Sequence, residues 1–505
     1  MLAKVKSYAL YGLEGFLVDI EADVSNGIPS FEIVGLPDTA VKESKERVRS
    51  AIKNSGFHYP TSKITVNLAP ADVKKQGAYL DLGIATGILK ASGLETVKQL
   101  SEYAFIGELS LDGSIRGVQG ILPMLISALK SGQKKFIIPT ENKNEARYIE
   151  GIEVYAFDSL KQVIDFLNIE GGECLERIEY KAYSKNLKYD SDLAFVKGQA
   201  YAKRALEVAV AGGHNILFVG PPGAGKTMLA KCIPTIMPEM TFEEALETTK
   251  IHSVAGLVNE EGIVLKRPFM TPHHTASSVS IVGGGQNAMP GMISLAHNGV
   301  IYFDEMPEYS RSVLECLRQP LEDRVITIAR AKASVEYPAS FIFCASMNPC
   351  PCGNYGVKGK VCKCTPSEIR RYSNKISGPL LDRIDIQISV EGVKYADLTS
   401  DELEESSEDV KKRVDFARKV QRLRFNGESI KTNAEMKERQ IKKYCTLSSE
   451  CESVLKNSFE KLDLSARARS RIIKVARTIA DLQLSEEIMP EHVLEAIGYR
   501  SMLSK

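Results

Sequence analysis

The stretch Ile216-Leu217-Phe218-Val219-Gly220-Pro221-Pro222-Gly223-Ala224-Gly225-Lys226-Thr227 decides the fold. Its second part, GPPGAGKT, fits the pattern G-x-x-x-x-G-K-[ST] at every fixed position. An apolar run, Ile216 to Val219, precedes it, and a helix-compatible run, Met228 to Ile233, follows. Strand, glycine loop and helix start are the context in which this pattern holds phosphate. Gly220, Pro221, Pro222, Gly223, Ala224 and Gly225 would form the loop, with backbone N–H groups turned inward around phosphate oxygens. The helix N-terminus would add its partial positive charge. Lys226 would reach the β- and γ-phosphates, and Thr227 would hold Mg²⁺.

Downstream, Val300-Ile301-Tyr302-Phe303-Asp304-Glu305 reads as a buried parallel strand ending in two acids. Open α/β sheets bind their ligands at that end. Asp304 is placed to join Thr227 on Mg²⁺, and Glu305 to orient and deprotonate an attacking water. ATP hydrolysis with Mg²⁺ is the chemistry these parts imply.

The rest of the chain bounds that reading. Its 505 residues suit about three domains. Lys and Arg number 65 against 64 acids, so any nucleic-acid binding must come from local patches. No apolar run reaches the roughly 18–20 residues of a membrane helix, and the N-terminus lacks the apolar core of a signal peptide. Ten cysteines in so long a chain are not a disulfide scaffold, which favours a cytoplasmic protein.

Residues 1–168 read as mixed α/β, with strands near Phe16–Ile20, Phe31–Val34, Ile64–Leu68 and Phe136–Ile138 and helices near Asp38–Asn54, Leu80–Ala91 and Ile121–Ser131. The polar stretch 169–191 reads as a linker. Strands and helices alternate through 192–395, the pattern of a doubly wound sheet. Residues 396–505 read as helical, opening with a solvated helix pair over Asp401–Ser429. Leu464, Ala468, Ile472, Val475, Ile479 and Leu482 then form one apolar helix stripe, with Arg467, Arg471 and Lys474 beside it. Arg471 and Lys474 read as a solvated edge.

Cys350, Cys352, Cys362 and Cys364 form two pairs about a glycine-rich loop. They suit a closed, structural Cys₄ zinc site. The C-x-C spacing is tighter than usual, and free thiols or a redox pair stay open as alternatives. Lys358, Lys360, Lys363, Arg370 and Arg371 crowd the same region, either a patch for phosphate backbones or a solvated loop. His273 and His274 read as polar loop residues, because no carboxylate or Cys is spaced to join them on a metal.

The ordered set FVKGQ (195–199), GPPGAGKT, VIYFDE, SMNPCPCG (346–353), GPLLDRIDI (378–386) and SARARSRIIKVARTIADL (465–482) resembles the magnesium-chelatase-like branch of the AAA+ ATPases, and within it the ComM/YifB family. The resemblance covers essentially the whole chain. It implies that Asn348 is the sensor-1 amide facing the γ-phosphate or the catalytic water. It also implies that Arg383 is an arginine finger for a neighbouring subunit's nucleotide, and that Arg467 is the sensor-2 arginine of a helical lid. A planar, permanently charged guanidinium suits both posts; a salt bridge from Arg383 to Asp382 or Asp385 is the plainer alternative. A finger acting in trans implies a ring, a hexamer by family resemblance. The hairpin expected near Arg324–Val335 would point basic residues Arg330 and Lys332 into its pore, and the glycine-rich insert 271–291 would form a mobile pore loop.

Residues 1–165 resemble the ribosomal-S5-like fold of the Lon proteolytic domain, through stretches 68–89 and 106–132. Where that protease has a nucleophilic Ser and a basic Lys, this chain carries Tyr79 and Leu122. Neither can perform the step, so that dyad's proteolysis is chemically excluded.

The function implied is a ring-forming DNA motor, a helicase or branch-migration enzyme for recombination and natural transformation, with DNA and further copies of itself as partners. The alternative is a protein-remodelling or chelatase-type chaperone, against which stands the absence of an integrin-type metal-binding domain. A nucleotide-binding scaffold is a third reading, and the intact Lys226, Asp304, Glu305, Asn348 and Arg383 argue against it.

Overall fold

The computed structural model describes residues 1–180, 189–285, 287–329, 334–357, 359–392, 404–462 and 465–500. They gather into two compact units. The first comprises residues 1–180, 241–265 and 334–336, and the second residues 189–240, 266–329 and 337–500.

In the first unit a seven-stranded sheet runs in the order β3-β4-β2-β1-β5-β6-β7. The strands are β1 (Leu2–Tyr11), β2 (Glu14–Ser25), β3 (Ser30–Val34), β4 (Lys63–Ala69), β5 (Tyr103–Phe105), β6 (Lys135–Pro139) and β7 (Glu153–Phe157). β1 and β2 pair antiparallel along their whole length through the tight turn at Gly12. Helix Asp81–Ala91, mostly apolar, is buried on nearly every side against this hairpin, and its buried Asp81 pairs with Arg47. Helix Thr39–Asn54 starts where Asp38 accepts a hydrogen bond from the Val41 N–H, and its stripe Val41, Val48, Ala51 and Ile52 enters the core. Helix Phe242–Val254, remote in sequence, packs on helix Ile121–Lys130. The Gly120 N–H donates to the Ser253 carbonyl, and the Ser253 hydroxyl donates to Glu145.

In the second unit five parallel strands stand in the order β9-β10-β11-β8-β12. They are β8 (Ile216–Val219), β9 (Phe269–Met270), β10 (Val300–Phe303), β11 (Ile342–Met347) and β12 (Ile386–Ser389). β8, β10 and β11 are buried at every residue, the mark of a sheet covered on both faces. Helix Ala200–Gly212 packs against helices Ser407–Arg424 and Ala466–Leu482, so the C-terminal helices share one apolar core with the sheet.

Three local expectations are corrected. Asp401–Ser429 does not form a solvated helix pair: its described part holds one helix, Ser407–Arg424, which buries Val410, Val414, Ala417 and Gln421. Arg471 and Lys474 do not lie on a solvated edge. Arg471 is paired with the buried Asp385, and the Lys474 ammonium donates to the Ala434 carbonyl. The tip residues Arg330 and Lys332 of the expected hairpin, and Lys358 of the basic patch, lie outside the described residues. Strands Val325–Ala329 and Ser334–Pro338 do form a two-stranded sheet. No helix among the described residues is long and apolar enough to cross a membrane.

Candidate active site

The chain leaves β8 at Val219, turns through the glycine loop and enters helix Lys226–Lys231. Gly223 and Gly225 take φ of +78° and +85°, and nothing lies within 4 Å of where a Cβ would project. Side chains at these positions would strain the backbone and fill the space into which the loop faces. The buried Lys226 Nζ donates to the Gly220 carbonyl at 2.6 Å, the Pro221 carbonyl at 2.9 Å and Asn348 Oδ1 at 3.1 Å. Burial pulls its pKa below the usual lysine value, against the opposing pull of Asp304 and Glu305. Its three donors thus rest on neutral oxygens of the loop, which phosphate oxygens can replace with charge-assisted partners.

Asp304 stands at the C-terminal end of β10. Thr227 Oγ1 lies 3.1 Å from Asp304 Oδ2. The Tyr302 hydroxyl donates to Asp304 Oδ1 at 2.9 Å, and the Ser346 hydroxyl donates to the same oxygen. Burial pushes the Asp304 carboxyl up, but the hydrogen bonds from Ser346, Tyr302, Thr227 and the Glu305 N–H together hold it below the ordinary carboxylate value. A hydroxyl and an ionised carboxylate in contact beside the loop are the oxygen ligands that fit Mg²⁺. Glu305 is exposed, with φ +50° and ψ +50°. This left-handed conformation costs a non-glycine residue about 1–3 kcal/mol. Its N–H lies 3.1 Å from Asp304 Oδ1 and 3.2 Å from Ser346 Oγ, which fix the turn. Glu305 and Asn348 line one cavity of about 410 Å³ with Glu308, Arg371, Tyr372 and Lys375.

Arg383 sits apart from this cluster. It forms an ion pair with Glu322 and donates to the Pro379 carbonyl at 2.8 Å. Its pairing with Asp382 or Asp385, left open by the sequence, does not form, because Asp385 faces inward. Asp385 accepts from the Asn215 N–H at 3.1 Å and pairs with Arg471. Burial raises the Asp385 carboxyl, but Arg471 and His214 outweigh it and hold the group far below the usual range. Asn215 Nδ2 donates to the Arg383 carbonyl at 3.0 Å, while Asn215 Oδ1 accepts from the Phe343 N–H at 3.0 Å. Arg467 is exposed on helix Ala466–Leu482.

The four cysteines meet. Cys350 lies 3.4 Å from Cys352 and 3.7 Å from Cys362, sulfur to sulfur, and all four sulfurs lie within 4.8 Å of one another. Hydrogen bonds from the backbone of Asn354 and Lys363 bring the Cys352 thiol down to about 6. His273 and His274 lie side by side and exposed, and His273 Nδ1 bonds to Thr275.

In the first unit, the Tyr79 hydroxyl accepts from the Leu10 N–H at 3.4 Å, and burial pushes its pKa up to about 12. Leu122 is buried in the apolar core. Neither is placed or built for nucleophilic chemistry.

Sequence reasoning passed over Tyr302, Ser346 and Asn215. The period of two along a strand was the available signal: Tyr302 and Asp304 fall on one face, and Ser346 precedes Asn348 by two.

The family described as "Magnesium chelatase, subunit ChlI" matches residues 192–398. "Subunit ChlI of Mg-chelatase" matches 20–142, and "Magnesium chelatase, subunit ChlI C-terminal" matches 404–500. The competence protein ComM of Haemophilus influenzae is 44% identical over 510 residues, covering 99% of this chain and 98% of that protein. The chain belongs to the ComM/YifB family of magnesium-chelatase-like AAA+ ATPases. YifB of Escherichia coli, described as uncharacterized, is 44% identical over 503 residues, covering 99% of this chain and 97% of its own. Lon protease 2 of Bacillus subtilis is 28% identical over 179 residues, 32% of each chain. Membership in this family makes the chain an ATPase that uses ATP and Mg²⁺. Its architecture is that of the family: a parallel-stranded AAA+ core, a Lon-like N-terminal fold and C-terminal helices.

Proposed function

We propose that the protein is one subunit of a ring-shaped, ATP-driven DNA motor, most simply a hexamer, which unwinds or branch-migrates recombination intermediates in the cytoplasm. Lys226 binds the β- and γ-phosphates, Thr227 and Asp304 hold Mg²⁺, Glu305 activates water and Asn348 orients it. The observation that carries the ring is the placement of Arg383. Its side chain contacts Glu322 and the Pro379 carbonyl, neither of which belongs to the phosphate loop or to the acids of β10. A finger so placed serves a neighbour's nucleotide, and Arg467 serves its own subunit's from the C-terminal helices. The same reading gives the four cysteines one Zn²⁺ in a structural role.

Two features support DNA as the substrate. A relative covering nearly all of this chain is named a competence protein, consistent with a part in natural transformation. An open cavity of about 990 Å³ is lined by Arg311, Arg370, Arg371 and Lys375, with Glu308 as its only acid. Such a surface suits phosphate backbones and gives salt-sensitive, sequence-independent binding.

Strand displacement on forked or three-stranded DNA with ATP and Mg²⁺ tests the motor, with Lys226→Ala as control. Displacement in the wild type and none in the control is expected. ATP hydrolysis without displacement would sink the DNA reading and favour a polypeptide client. Mixing Arg383→Ala with Glu305→Gln subunits should restore part of the ATPase rate. No recovery in assemblies that still form would exclude the shared site.

A further inference from the structure

The cysteine cluster touches the ATP site on two sides. Cys350 follows Asn348 by two residues and is buried. The knuckle Cys352-Gly353-Asn354 rests on the phosphate loop: Gly353 has φ +77°, and a Cβ there would come within 2.5 Å of Pro222 Cδ. Only glycine fits that contact, on both conformational and steric grounds. On the other side Cys362 and Cys364 lead into helix Pro366–Ser373. Thr365 caps it: the Glu368 N–H donates to Thr365 Oγ1, and Glu368 accepts from the Thr365 N–H at 2.8 Å. This helix carries Arg371 and the buried Tyr372 to the cavity that Glu305 and Asn348 line. Tyr372 and Asn348 thus line one cavity together.

The sulfur geometry suits a thiolate-bound divalent ion. A tetrahedron with Zn–S bonds of about 2.3 Å has edges of about 3.8 Å, and three of the sulfur separations are 3.4, 3.6 and 3.7 Å. The Tyr355 N–H donates to Cys350 Sγ at 3.3 Å, the kind of outer contact that orients a thiolate ligand.

We propose that a Zn²⁺ held by Cys350, Cys352, Cys362 and Cys364 braces the γ-phosphate side of the ATP site, so that hydrolysis depends on the metal while nucleotide binding does not. The inference rests on the zinc reading above and deepens it. The ion pins residues 350–352 to 362–364. That clamp holds Gly353 against Pro222 at the loop and keeps Tyr372 beside Asn348 in the cavity at the sensor. Lys226 also rests on the Gly220 and Pro221 carbonyls, which do not depend on the clamp, so ground-state affinity stays. What is lost without the ion is the placement of Asn348, and with it the orientation of the attacking water. Tyr372 is a positioning residue that acts through Asn348.

The test uses the full-length chain, with zinc measured by mass spectrometry, affinity for a fluorescent ADP analogue, and kcat and KM for ATP. Wild type should carry about one zinc per chain. Cys362→Ser should lose it, with kcat down about tenfold or more and ADP affinity within about threefold of wild type. Tyr372→Phe should keep both zinc and ADP affinity, with kcat down several-fold at an unchanged KM. Wild type without zinc would remove the metal site itself. Full zinc in wild type with an unchanged kcat in Cys362→Ser would leave the metal and overturn the brace. Should Cys362→Ser fail to fold, Tyr372→Phe decides: an unchanged kcat overturns the proposal, and a lowered kcat at constant KM sustains it.

Discussion

The two units use their polar positions differently. In the second, the polar residues beside the phosphate loop pair with one another: Lys226 with Asn348, Thr227 with Asp304, Asp304 with Tyr302 and Ser346. In the first, the positions matching the Lon dyad hold Tyr79 and Leu122, one bonded to a backbone N–H and the other buried in apolar core. The difference shows what keeps a fold reactive. Charged groups partnered beside the loop can act on a phosphate, whereas side chains committed to packing cannot.

Substitutions can break or sharpen this contrast. The largest effect belongs to Glu305→Gln, which should lower kcat by about 10²–10⁴-fold while ATP still binds, read by steady-state turnover beside nucleotide affinity. Wild-type turnover in that variant would strip Glu305 of its role. Next is Arg471→Ala, which leaves the buried Asp385 carboxylate without its guanidinium. Denaturant unfolding should show a loss of about 3–5 kcal/mol, and the ATPase rate should fall with it, because Arg471 also contacts the Arg383 carbonyl at 3.4 Å. Tyr79→Phe removes only the partner of the Leu10 N–H, so about 1–2 kcal/mol of stability should go and ATP turnover should stand. A change in turnover would mean that the first unit is not catalytically silent.

The smallest effect concerns pH. Burial holds the His214 imidazole below its ordinary value despite Asp385 at 3.6 Å. The folded chain therefore binds that proton less readily than the unfolded chain, which takes one up below about pH 6.5. Its contribution is intact above that pH and declines as the solution is acidified. Between about pH 6.5 and 5.5 the wild type should lose stability that His214→Gln does not lose, seen as a shallower dependence of the variant's unfolding free energy on pH. Equal slopes would show that His214 does not titrate on unfolding.

Much of the molecule was legible from residue order. The phosphate loop and the strand ending in Asp304 and Glu305 are contiguous patterns, because one strand–turn–helix unit supplies each. Helix Thr39–Asn54 was readable as a helical run, and the complete burial of β10 from its unbroken apolar run. Helix Ser407–Arg424 misled for a plain reason: it is charged overall and hides a narrow apolar stripe, so composition spoke for solvent while packing used the stripe. Arg471 and Lys474 looked like an exposed edge because nothing local reveals that a carboxylate some ninety positions away, Asp385, faces them.

The sequence by itself determined the chemistry available: a lysine and threonine on a glycine loop, two acids at a strand end, an amide, an arginine and four thiols. Those identities follow from local spacing, which residues separated by a few bonds cannot escape. Only the tertiary structure decided which of them meet. It set Asn348 on Lys226, drew Tyr302 and Ser346 around Asp304, turned Arg383 to Glu322 rather than to its own neighbours, and seated the cysteine knuckle on Pro222. Contacts of that kind depend on the order of strands in a sheet and on which helices share a core, and no short window of sequence contains either.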